Sequence, residues 1–169
     1  MFIYKPNTTK ESQLILKKTK EKFNILPPHW ELLALISPKR FEMFINEIEY
    51  LLNHPRINSD FFTMLRLHVA NRENFNYCKS LNTKLLLAKG YDKNQITSIK
   101  EDIKTLPLDK NHKLLATKAI KAIYQAEEFN KEDIQELKDS SWEDSDIYDA
   151  IDHAAFIFKV NKILKAYLG

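Results

Sequence analysis

Glycine is almost missing from this chain, with only Gly90 and Gly169 among 169 residues. A phosphate-cradling loop or a dinucleotide fingerprint needs several glycines in one short stretch, and tight hairpins usually need Gly or Asn-Gly, so those classes fall away. Cysteine is scarcer still: the single Cys78 excludes an internal disulfide framework and any multi-cysteine zinc or iron–sulfur centre. Arginine is rare, with Arg40, Arg56, Arg66 and Arg72 set against 22 lysines. Arg supplies the forks that read guanine and clamp phosphate, so nucleic acid is not an expected partner. Apolar runs are short, reaching five residues at Leu32 to Ile36, far below the ~18 of a membrane span. The start, Met1-Phe2-Ile3-Tyr4-Lys5-Pro6, lacks a signal-peptide layout. The expectation is a cytoplasmic protein without membrane contact.

What is present is 44% hydrophobic and 29% charged residues with a net charge of +3, the profile of an ordinary globular chain with a sizeable interior. Charge is segregated: residues 127–152 carry eleven acids and two lysines, a net of −9, leaving +12 on the remainder. Solvated helix faces account for this pattern, and self-association through unlike patches stays open.

Helical punctuation recurs along the chain. Thr8-Thr9-Lys10-Glu11 fits a capping box opening a Lys-rich helix to about Phe23. Pro27-Pro28 turns into a short apolar segment, His29 to Ile36, and Ser37-Pro38 opens a helix to about Asn53. Asn58 or Ser59 caps a helix over 60–73 that is apolar on most sides, the mark of a central element. Further helices are expected over 75–89, from Asp92 to before Pro107, over 110–128, over 131–139, and from Asp144 or Ser145 to Leu168. No segment alternates with period two, so strands are not expected. The fold class is all-α: a single domain over 1–169, with 1–37 as an N-terminal helical extension and 38–169 as the core.

Cys78 falls in the first turn of a predicted helix, where unpaired amides and a partial positive charge favour thiolate. Asn82 shares its face at i+4. Thr63, Arg66 and Ala70 share a face of the preceding helix, and folding the two helices back on each other brings Thr63 and Arg66 toward Cys78. The competing reading is that Cys78 is an inert buried hydrophobe. His29, His54, His68, His112 and His153 show no ligand spacing, so neither a metal nor a cofactor is expected. His68 and His153 read as hydrogen-bonded core histidines, and Trp30 and Trp142 as packing anchors.

The run Thr63-Met64-Leu65-Arg66-Leu67-His68-Val69-Ala70, then Asn74-Phe75-Asn76-Tyr77-Cys78, Asn82 and Gly90-Tyr91-Asp92, resembles the carboxymuconolactone decarboxylase / alkylhydroperoxidase D-like family. The peroxidase branch of that family has Glu-x11-Cys-x2-Cys-x3-His followed by a helix stop at Gly. The resemblance implies a helical bundle with a central antiparallel hairpin and a homo-oligomer. It also implies a thiol that meets peroxide, a His–Glu relay for its proton, and a second cysteine that closes a disulfide.

Thr63 stands at the family's Glu position, Phe75 at the first cysteine and Asn82 at the His, with Cys78 alone retained. An Asn amide takes no proton at neutral pH, and Phe75 cannot resolve a sulfenic acid, so the two-cysteine cycle is unavailable. Two functions follow. One is a thiol-dependent antioxidant protein working through Cys78 alone, supported by Arg66 or Glu73 and reduced by an external thiol. The other is a catalytically degenerate relative that keeps an oligomeric scaffold for a small molecule or a protein partner.

Overall fold

The computed structural model describes residue 3 and residues 6–167, and every regular element among them is helical. Their contacts form two compact units: the residues up to Asn53 together with those from Ile163, and His54–Lys162.

The first unit holds α1 (Lys10–Phe23), α2 (Pro28–Ile36) and α3 (Pro38–Leu52). The capping box at the start of α1 joins Thr9 to Ser12, one position later than the Thr8 to Glu11 register. Thr9 Oγ1 accepts from the Ser12 amide at 3.0 Å, and Ser12 Oγ accepts from the Thr9 amide at 2.9 Å. Asn24 ends α1 in the left-handed region at φ 57°, where Asn is tolerated because its side chain bonds locally. Pro28 and Pro38 each occupy a first helical turn, where a missing N–H costs nothing. Trp30, Ala34, Phe41 and Ile45 form the core, and Phe23 meets Trp30 edge-on at 5.4 Å. Trp30 is thus the anchor its surroundings in sequence suggested.

The second unit is built round α4 (Ser59–Arg72), with α5 (Asn76–Ala88), α6 (Lys93–Glu101), a 3-10 turn (Ile103–Thr105), α7 (Lys110–Tyr124), α8 (Lys131–Asp139) and α9 (Asp144–Tyr167), whose last residues belong to the first unit. Nine of the 14 residues of α4 are buried, and it packs against α5, α6 and α7. That encirclement is why the helix is apolar on nearly every face. Asp92, Asp109 and Asn130 cap α6, α7 and α8 through their side-chain oxygens. α7 stops at Tyr124, four residues before its sequence-based end, in a turn closed by the Phe129 amide on Gln125 O at 3.1 Å.

α4 and α5 form an antiparallel hairpin. Asp60 meets Lys89 and Tyr91 near one end and Arg66 meets Asn82 in the middle, pairings that run in opposite chain directions. The reversal spans Glu73–Phe75: Asn74 takes φ 49°, and the Phe75 amide closes on Ala70 O at 2.8 Å. On α9, Asp146 accepts from the Glu143 amide at 2.8 Å and from Arg56 Nε at 2.6 Å, fixing the helix start.

Candidate functional site

Cys78 is the third residue of α5, one turn from the hairpin reversal. Its place in the first turn favours a thiolate, but its surroundings do the opposite. The residue is 4% exposed, and burial pushes the thiol pKa up to about 12 from an ordinary 9.0, outweighing Arg66, which pulls the other way. Desolvation of a charge outweighs a helix-end field worth a fraction of that energy. At neutral pH the sulfur is a protonated, buried thiol.

Arg66 organises what lies beside it. From the middle of α4 its Nε donates to Asn82 Oδ1 at 2.9 Å, its Nη2 donates to Thr63 Oγ1 at 3.0 Å, and its Nη1 lies 2.7 Å from His153 Nε2 on α9. Arg carries no acceptor, so His153 Nε2 accepts, and the ring proton sits on Nδ1. Burial, then the Arg66 charge, holds His153 well below its ordinary 6.5. Asn82 completes the arrangement by donating from Nδ2 to Cys78 O at 2.8 Å. The guanidinium is dry enough for burial to bring its pKa from 12.5 to about 10, with Cys78 the one group countering the fall. The residue as a whole still keeps partial solvent exposure.

Thr63, Arg66, Asn82 and Cys78 are therefore brought together. Phe75 caps α5 without a side-chain bond and is 3% exposed, a packing residue of the reversal. Glu73 is engaged elsewhere. Tyr124 donates its hydroxyl to Glu73 Oε1 at 3.0 Å while Arg72 covers the Tyr124 ring at 3.8 Å, and no hydrogen bond or ion pair joins Glu73 to Cys78 or Arg66. The residue missed from sequence is the partner of Arg66. His153 reads there as a hydrogen-bonded core histidine, which it is, but it is 87 positions from Arg66 and no spacing pairs them. His68 is likewise bonded, its Nδ1 donating to Ile99 O at 2.9 Å.

What the cluster can do chemically follows from its ionisation. It holds one cation, one protonated thiol, one neutral imidazole and two neutral hydrogen-bonding side chains. None of its hydrogen bonds offers a base to the thiol proton. Among the described residues no group of His, Cys, Asp and Glu is placed to hold a metal ion, and no helix is long and apolar enough to cross a membrane.

No protein-family model matches the chain, and a search of curated proteins finds no relative. Solved structures do match. An uncharacterized peroxidase-related protein from Silicibacter sp. TM1040 superposes with a TM-score of 0.78 at 17% identity, covering 98% of this chain and 93% of that one. A second, described as an alkylhydroperoxidase AhpD core and uncharacterized peroxidase-related protein from Ralstonia eutropha JMP134, gives 0.76 at 14% identity over 94% and 84%. The chain has the all-α alkylhydroperoxidase D-like fold, as its sequence led one to expect.

Proposed function

We propose that this chain is a catalytically degenerate alkylhydroperoxidase D-like protein, a ligand-binding scaffold that keeps the fold and the thiol without the peroxidatic cycle. One observation carries the reading. The positions where the resemblance places the relay carboxylate and imidazole hold Thr63 and Asn82, both hydrogen-bonded to Arg66, beside a thiol whose pKa stands near 12. Attack on peroxide needs thiolate, and neither neighbour can take the proton. Assembly as a homo-oligomer in the cytoplasm belongs to the same proposal and rests on the resemblance.

A second reading has one observation in its favour: Arg66 is a cation that lowers the Cys78 pKa. In that reading the Cys78 thiolate attacks hydrogen peroxide, water leaves, and an external thiol reduces the sulfenic acid through a mixed disulfide. Peroxide consumption with dithiothreitol or glutathione, compared with Cys78→Ser, separates the two. The degenerate reading expects equal background rates in both proteins. Turnover that vanishes in Cys78→Ser would establish the one-cysteine enzyme instead.

A further inference from the structure

Donors and acceptors do not balance around Arg66. A guanidinium carries five N–H donors. Three go to Asn82, Thr63 and His153, which leaves one on each terminal nitrogen. All three acceptors are neutral, and no carboxylate pairs with Arg66 among the described residues. His153 is itself 1% exposed, and its Nδ1, which must carry the proton and leaves the ring on the side away from Arg66, has no hydrogen-bond partner. A positive charge in a desolvated place is ordinarily matched by an opposite one. Here no carboxylate among the described residues supplies it, and the two ionisable side chains that the guanidinium acts on, Cys78 and His153, are both neutral.

We propose that Arg66 anchors a binding site for a small carboxylate anion seated beside Cys78. The proposal rests on the scaffold reading and names its ligand class. The free N–H on each terminal nitrogen suits the two oxygens of a carboxylate, which Arg holds in a fork. A single negative charge matches a single cation, whereas a phosphate dianion would bury a charge with no counterpart. Arg66 as a residue keeps partial solvent exposure, so the place borders solvent at this side chain. Binding has a consequence at the sulfur: a carboxylate on Arg66 cancels the field that assists ionisation of Cys78, so the thiol becomes still less reactive.

The test uses the wild-type protein at pH 9 and constant ionic strength, with sodium formate replacing sodium chloride. Cys78 alkylation reads the coupling, and line broadening of 13C-formate reads binding. Formate should slow alkylation severalfold and saturably, while chloride and phosphate should not. Arg66→Lys, which keeps the charge and loses the fork, should weaken the effect by about tenfold or more; Arg66→Met should abolish it. If Arg66→Met does not fold, Arg66→Lys and the wild-type anion series decide alone. A wild-type protein with no saturable response overturns the proposal. So does an equal response to phosphate or chloride, or formate binding unchanged in the Arg66 variants. Peroxide turnover measured on the same samples would refute the degenerate reading and leave the anion site standing. Silence in both assays refutes the site alone.

Discussion

Moving from pH 7.5 to 5.5 should destabilise the protein by about 1.4 kcal/mol through His153 alone. In the unfolded chain this imidazole titrates near its ordinary 6.5; in the folded protein burial and Arg66 hold it well below that. Protonating Nε2 would set two donors face to face across 2.7 Å. The folded value is depressed, so the stabilising contribution is complete above pH 6.5 and is lost as pH falls below it, because the unfolded state then binds a proton that the folded state refuses. Each pH unit in that window costs about 1.4 kcal/mol once the unfolded group is charged. The same step lowers Tm by roughly 3–6 °C for a chain of this size. His153→Gln keeps an acceptor for Arg66 and cannot titrate. Urea denaturation of both proteins at the two pH values gives the answer by difference, and the like-signed contribution of His68, also depressed by burial, cancels. Identical pH dependence in wild type and His153→Gln would show that His153 is not held neutral and would refute the reasoning.

Other outcomes follow from the same structure. Asp133 is 4% exposed and accepts from Lys118 and Lys121 at 2.6 Å each; burial resists its ionisation, but the two lysines outweigh burial and lower its pKa. Asp133→Asn should therefore cost about 1.5–3 kcal/mol in urea denaturation at pH 7, the range of hydrogen bonds to charged groups. Phe61 is fully buried on α4, and Phe61→Ala should cost about 3–5 kcal/mol by the same assay. Phe75→Cys restores the cysteine pair of the family pattern but not the base. Peroxide at neutral pH should leave that variant without the two-hydrogen mass loss of a disulfide.

The helices were legible because their ends are chemical. Asp92, Asp109 and Asn130 are short acceptors before apolar-periodic runs, and each caps a helix where the sequence places it. The hairpin was legible from the greasy helix over 60–73 and the break that follows it. Two kinds of feature were not. Register within a cap depends on which hydroxyl reaches which amide, so Ser12 rather than Glu11 closes the box on α1. Burial depth is a property of the whole packed unit: local position argues for a thiolate at Cys78, while enclosure by the hairpin argues more strongly for a thiol. The Arg66–His153 contact was invisible for the same reason, since it joins a central helix to the closing one.

Whether the Cys78 sulfur is a thiol at neutral pH is measured directly by the rate of its alkylation by iodoacetamide against pH, in the native protein. With a pKa near 12 rather than 9.0, the thiolate is about a thousandfold scarcer at neutral pH than for an ordinary cysteine, since each pKa unit is tenfold. The rate should still be rising at pH 10. A titration midpoint at or below about 8.5, joined by a sulfenic acid trapped on Cys78 after peroxide, would contradict the protonated thiol.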